Sequence, residues 1–407
     1  MTGTAPCPFP FPEGPDARPP REYEELLGRP GLPLVMLSNG SEALLVARHA
    51  EVKAVLSDDR FSRASFAGRP MFARTPESLA LATSDPPVHT RRRRAVLHAF
   101  TARRARRQTP WLRALAGDLL DELETRAQPV DLVNAFTVPF ALNAITEMLG
   151  VPADDRSQLR PLVDRMMSTT RFTREEVAAA HREAGDYFAG LVAAREAEIA
   201  AGEAGDDLLT ELLAAPEAER LSREEIAVFG AGLLMAGYET TGNQLAICAL
   251  TVLLDPALAG RLRADPDALA PAVEEMLRWS SLVATGGAPH VATEDVRLGE
   301  TLVRAGQVVV PLTDAANRDP AVFADPGRFV PDREENPHVA FGHGRHFCLG
   351  AHLARAELQV GLGALLHRLP DLALAVPAGE LVWRRGMFIR GLMELPVRWP
   401  VVRDRPV

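Results

Sequence analysis

From Ile226 to Leu254 the chain reads IAVFGAGLLMAGYETTGNQLAICALTVLL, apolar on almost every side. Ser222-Arg-Glu-Glu225 before it has the form of a capping box, in which the serine caps the helix start and the glutamate reaches back. Asp255-Pro256 ends the run. The pattern predicts a helix of roughly 30 residues, against a usual length of about 11–12. A helix this apolar has to be surrounded, either by protein or by lipid. A membrane span needs about 20 apolar residues, and here Glu239 falls mid-way among Thr240, Thr241, Asn243 and Gln244. The better solution is a buried central helix with the rest of the chain wrapped around it.

The remaining pattern supplies the wrapping. Segments near 86–99, 110–126, 137–148, 174–200 and 267–279 repeat apolar residues at helical spacing. Strand-like runs are short and peripheral: Ala43–Val46, Gln307–Pro311 and Met393–Trp399. Strands and helices do not alternate, which argues against a parallel α/β fold. The expectation is a single, mostly α domain over residues 1–407 with small β-sheets, preceded by a Pro-rich extended segment over residues 1–20. That segment has neither the apolar core nor the basic head of a signal peptide or anchor. Three scattered cysteines, Cys7, Cys248 and Cys348, make no disulfide framework and favour a reducing cytoplasm. A net charge of −9 argues against nucleic acid as a partner.

Three stretches carry chemistry. In AGYETT (Ala236–Thr241), a glycine and an acid interrupt a buried helix, each at a cost. Threonine back-bonding in a helix bend is one explanation; a small-residue groove under a ligand, with Glu239 and Thr240 passing protons, is the other. Glu275-Met-Leu-Arg278 puts a carboxylate and a guanidinium on one helix face. Such pairs are usually solvated, but this one sits in an apolar segment, and Arg328 in PGRF is a candidate third member. The third stretch is FGHGRHFCLG (Phe341–Gly350). Its histidines and cysteine lack the spacing of a structural zinc site, and a nucleophilic or merely buried cysteine leaves Gly342, Gly344 and Gly350 unexplained. A haem-ligating thiolate accounts for them: Cys348 precedes a helical pattern, glycines let amides turn towards sulfur, and Phe341 shields it.

With these residues in place the sequence resembles the cytochrome P-450 family, in its soluble bacterial class. FGHGRHFCLG matches the family's haem-binding signature at every fixed position, Glu275-x-x-Arg278 its paired motif, PGRF its arginine segment, and AGYETT its oxygen-binding groove. DPPVHTRRRR resembles the segment whose histidine and arginine bind a haem propionate, here His89 and Arg93. His346 falls at another propionate position. One departure stands out: where relatives place an arginine, APHVATEDV has His290, read here as the propionate partner in its place. The resemblance implies a triangular, mostly helical fold. Haem b is clamped there between the central helix and the cysteine helix, with Cys348 on the iron and Ala236 and Gly237 over the opposite face. It also implies dioxygen as co-substrate, and Glu239 and Thr240 as the catalytic proton relay.

Electrons and substrate follow by the same route. Residues 85–107 hold eight arginines against one acid, Asp85, a formal +7. Arg103 and Arg104 are the expected docking point for an acidic ferredoxin-like donor with a separate reductase. The resemblance places Phe229, Leu233, Ala236, Val283, Ala284, Phe388 and Ile389 around a substrate pocket, with segments 61–71 and 166–172 beside it. That lining implies a mid-sized, mostly apolar small molecule of secondary metabolism. A monomeric enzyme with no membrane partner is expected. Hydroxylation is the leading expectation. Oxidative C–C or C–N coupling on the same scaffold is the enzymatic alternative, and a haem sensor the non-enzymatic one, for which a proton relay has no use.

Overall fold

The computed structural model describes residues 7–12, 14, 16–67, 81–217 and 220–400. Its axis is the helix Arg223–Leu254. Ser222 Oγ accepts from the Glu225 amide at 3.2 Å, and Glu225 accepts from the Ser222 amide at 3.1 Å, closing the capping box. The same carboxylate accepts from Arg91 and, at 3.1 Å, from Arg92. It therefore ties the start of the central helix to the neighbouring helix Val88–Leu97.

Helices pack on the axis from several sides. Val138–Leu149 crosses closest, because Gly237 and Gly242 remove the side chains that would separate the backbones. Arg174–Ala201 covers the first turns: a Cβ at Gly230 would meet the ring of Phe188 at 2.3 Å. Arg156–Met166 and Ala351–Arg368 complete the layer. The resulting core runs unbroken from Val96 to Val397. Helix Ala102–Glu124 lies outside Ala351–Arg368. It starts well before the expected residue 110, so Pro110 sits inside it. Thr101 caps its start by accepting from the Arg104 amide.

The sheets are small and lie to one side. The largest has six strands in the order Cys7–Phe9, Leu34–Leu37, Glu42–Val46, Val308–Pro311, His290–Ala292, Phe61–Ser62. Part of the extended N-terminal segment thus serves as an edge strand, parallel to Leu34–Leu37. Arg390 holds the next stretch by donating to the carbonyls of Arg18 and Asp16, each at 2.8 Å. Among the described residues no single helix is long and apolar enough to cross a membrane.

Candidate active site

The cysteine loop is fixed from several sides. Gly342 and Gly344 have φ of 73° and 66°, the left-handed region that favours glycine. A Cβ at Gly344 would meet the carbonyl oxygen of Leu56 at 2.5 Å, so the loop lies directly on helix His49–Ser57. The Cys348 amide donates to Phe341 O at 2.8 Å. Burial raises the Cys348 thiol above its ordinary range, while the Gly350 amide donating to sulfur and the charges of Arg93 and Arg355 oppose the rise. Those three groups favour a thiolate once a metal displaces the proton. Among the described residues no three metal-ligating side chains converge, which removes the zinc reading. The Phe341 ring is covered in turn by the Arg355 guanidinium, 4.5 Å from its centroid. Glu274 grips Arg355 with both oxygens, at 2.7 and 2.8 Å, and accepts from His338 at 3.0 Å. Burial raises the Glu274 carboxyl, but the bonds from His338 and Arg355 outweigh it and bring it to about 2.

A face of the central helix stays open in the middle of the core. Ala236 is exposed, and Leu233, Gly237 and Thr240 are partly so, although residues on either side are buried. Thr240 Oγ1 donates to Ala236 O at 2.5 Å. Gly237 is partly open on this face, and its missing side chain also makes room for Ile145, which a Cβ would meet at 2.8 Å. Glu239 turns away from the open face. It is fully buried, and its Oε1 accepts from Arg384 at 2.5 Å while Oε2 has no partner. Arg384 reaches on to Asp164 at 2.9 Å. Burial, opposed by Arg384 and reinforced by Asp164, raises the Glu239 carboxyl to about 6. Beyond it lies a cavity of about 200 Å³ lined by Asn134, Arg160, Asp164, Tyr238 and Arg384. Sequence reasoning missed Arg384 and Asp164. The signal was Trp383-Arg384-Arg385 in an otherwise apolar stretch, where a buried arginine demands a carboxylate.

The expected propionate residues gather in one cluster. The rings of His89 and His346 are 4.2 Å apart, and the Nε2 atom of each is buried without a partner. Burial and the charges of Arg93, Arg345 and Arg63 push His89 down to about 4. His346 is driven well below its ordinary value by burial and then by Arg63 and its histidine neighbours. Arg93 donates to Phe347 O at 2.7 Å, beside the cysteine. His290 joins the cluster, as does Arg63, which sequence reasoning missed. Orphaned imidazole nitrogens beside guanidiniums fit a ligand carrying carboxylates. The space beyond Gly350, where a Cβ would meet nothing within 4 Å, and the open face at Ala236 fit a flat one. The residues present therefore fit haem.

Other expectations need correction. Arg278 binds Glu275 with two bonds of 2.7 and 2.6 Å, both side chains fully buried. The second guanidinium on Glu275 is that of Arg333, at 3.1 Å, not Arg328. Arg328 contributes only its carbonyl, to Arg278 and Arg333. Five residues of further chain bring Arg333 back over the helix face that Arg328 has passed. Phe229 and Ile389 are 3% and 1% exposed and belong to the core behind the pocket. Helix Arg174–Ala201 covers the turn that carries Phe229. Alternation along 387–389 leaves Phe388 as the side chain with an open face. Leu233, Val283, Ala284 and Phe388 keep accessible surface, and the Ala284 amide donates to Phe388 O at 3.0 Å. Positions 68–71 of the expected pocket lie outside the described residues. Arg104 is tied to Glu211 at 2.5 Å on helix Leu208–Leu213, whereas Arg103 is exposed.

The comparisons agree with this geometry. A family model described as cytochrome P-450 matches residues 18–370. The nocardicin C N-oxygenase of Nocardia uniformis subsp. tsuyamanensis is 43% identical over 98% of this chain and 99% of its own. The mycinamicin IV hydroxylase/epoxidase of Micromonospora griseorubida is 40% identical over 98% of this chain and 100% of its own. Among solved structures, that of HinD with NMFT and NO superposes with a TM-score of 0.91 at 42% identity, covering 98% of this chain and 100% of that one. Another, a cytochrome P-450 with biaryl coupling reactivity, gives 0.90 at 35% identity, covering 96% and 99%. Fold, site and relatives lead to one conclusion: the chain belongs to the cytochrome P-450 family and is a haem- and dioxygen-dependent oxidoreductase.

Proposed function

We propose that the chain, acting as one domain, holds haem b through Cys348 and oxidises a mid-sized, mostly apolar intermediate of secondary metabolism. Its electrons come from a separate ferredoxin-like donor. The observation that carries the reading is the single cysteine, with the Gly350 amide on its sulfur, in a site rimmed by unpaired His89 and His346. Haem bound there supplies the activation of dioxygen, favoured by thiolate donation.

The chain's own residues do the rest. Gly350 N–H and Arg93 stabilise charge on Sγ; Phe341 keeps water from it. His89 and His346 supply donors for the carboxylates. Thr240 spends its proton on Ala236 O, so its lone pairs are free to accept from a water in the open face. Glu239 is the proton store behind that face. Its Arg384 partner must let go before the acid can turn, and the polar cavity beyond Arg384 is the route by which it is reprotonated. Leu233, Val283, Ala284 and Phe388 offer a substrate no charge, which suits the apolar part of a natural product. Both curated relatives named above act on natural-product scaffolds by their names. A second reading, oxidative coupling, has support in the biaryl-coupling neighbour.

A groove of about 860 Å³ between helices Ala102–Glu124 and Ala351–Arg368 is lined by Arg106, Arg113, His352 and Arg355. It lies on the cysteine side and supports docking of an acidic donor there. The experiment for the whole reading is the reduced, CO-saturated difference spectrum. The strongly red-shifted Soret band of thiolate ligation is expected in the wild type and in Cys7→Ala and Cys248→Ala, and should vanish in Cys348→Ala. A folded, haem-loaded wild type without that band would overturn it.

A further inference from the structure

His290 stands where the family resemblance calls for an arginine, and its hydrogen bonds show what it does instead. Its Nδ1 lies 2.9 Å from Ala288 O, which can only accept, so Nδ1 carries the proton. A neutral imidazole has no second proton. Its Nε2 therefore presents a lone pair, and at 3.2 Å it meets Nε of Arg63, which can only donate. His290 is 2% exposed, and burial together with Arg63 drives it far towards the neutral form. Both ring nitrogens are spent, and neither is left to donate to an anion.

Arg63 is the opposite case. It follows strand Phe61–Ser62, which pairs antiparallel with His290–Ala292, so the sheet edge delivers it beside residue 290. Its amide donates to Asp85 Oδ1 at 3.2 Å, and the same carboxylate takes the Ser62 hydroxyl at 2.5 Å. Backbone and Nε are thus fixed. Its terminal nitrogens have no partner among the described residues; the residue as a whole is half-buried, and its guanidinium lies deep enough for burial to push it down to about 10. Around it stand Arg345, itself paired with Asp59, the unpaired nitrogens of His89 and His346, and the carboxylate of Asp85.

We propose that Arg63 is the residue that binds a carboxylate of the prosthetic group, and that His290 is a positioning residue that aims it without touching the ligand. A planar guanidinium offers the two parallel donors that a carboxylate accepts. The arginine missing at position 290 is supplied from the adjacent strand. This rests on the haem reading above, and the test separates the two.

Wild type, Arg63→Gln, His290→Gln, His290→Leu and the double variant Arg63→Gln/His290→Leu would be loaded with protohaem or with its dimethyl ester. Haem transfer to excess apomyoglobin is then timed. With protohaem, Arg63→Gln should release roughly tenfold faster or more, the worth of one charge-assisted bond. His290→Gln, whose amide oxygen still accepts from Nε, should stay near wild type. His290→Leu should fall between, and the double variant should match Arg63→Gln, because His290 acts only through Arg63. With the dimethyl ester, which has no carboxylate, the Arg63 effect should disappear. Unchanged release in Arg63→Gln, an equal effect with the ester, or fully additive losses would overturn the proposal. A wild type that binds neither haem would instead overturn the cofactor reading beneath it.

Discussion

Glu239 is the residue whose environment most determines what the site can do. An isolated buried carboxylate is unfavourable, and Arg384 compensates for only part of the burial, leaving the carboxyl near 6. Above that pH it is ionised and held on Arg384; below it the carboxyl carries the proton that the proposed relay would pass on. Proton-limited turnover should therefore fall as pH rises through about 6, and Glu239→Gln should be slow and flat over the same range. Stability follows the same sign. The folded pKa lies above the ordinary 4.5, so the folded state binds the extra proton between 4.5 and about 6. Its contribution is complete below 4.5 and lost as pH rises through 6. The melting temperature of wild type minus that of Glu239→Gln should decline across that window. An unchanged difference would mean that the carboxyl is not shifted. The acid itself was legible in AGYETT, because an uncompensated charge in an apolar helix is visible in one dimension. Its clamp was not: Arg384 and Asp164 are separated from it by 145 and 75 residues of chain and meet it only in the folded state.

At the scale of elements, sequence periodicity placed most of the expected helices to within about two residues and missed the start of one. The expected 137–148 and 174–200 became Val138–Leu149 and Arg174–Ala201, and the capping box formed as written. The start at Ala102 was missed because ARRARRQTP shows one apolar position per turn and then a proline, and only packing on Ala351–Arg368 makes it helical. The Glu275 network joins helix Leu269–Trp279 to the loop before the cysteine through the Val330 amide at 2.8 Å, Arg333 and Arg278. Glu275→Gln leaves Arg278 and Arg333 without a full counter-charge and should cost about 3–5 kcal/mol, read as a chemical-denaturation shift. Arg328→Gln should cost far less, since only its carbonyl takes part. The basic island divides in the same way. Arg103→Glu should slow reduction by an acidic donor and weaken its salt dependence. Arg104→Glu should instead loosen helix Leu208–Leu213 by repelling Glu211. Equal reduction rates in wild type and Arg103→Glu would count against docking at that end of the helix.

Over the whole molecule, arginines and neutral histidines from distant parts of the sequence converge on one rim. Arg63 comes from a sheet edge, His89 and Arg93 from a helix, His290 from another strand and His346 from the cysteine loop. Each is unremarkable where it stands in the chain, and their common purpose needs the fold. The pinning of Gly344 against Leu56 is part of this closure, since it sets the cysteine loop on a helix formed from the first sixty residues.

Glu225 has a consequence for distance. One carboxylate caps the central helix and grips Arg91 and Arg92 beside His89 and Arg93. At 1.5 Å per residue, Thr240 stands about 22 Å along the axis from that anchor. Glu225 is thus the zero mark of a ruler that fixes how far along the axis the Thr240 hydroxyl stands from helix Val88–Leu97. Glu225→Ala should lower product formed per electron consumed while leaving the CO-bound spectrum intact, a defect of calibration rather than of chemistry. For anyone grafting new substrate loops onto this scaffold, the tolerance that matters is set at the far end of the helix from the reaction.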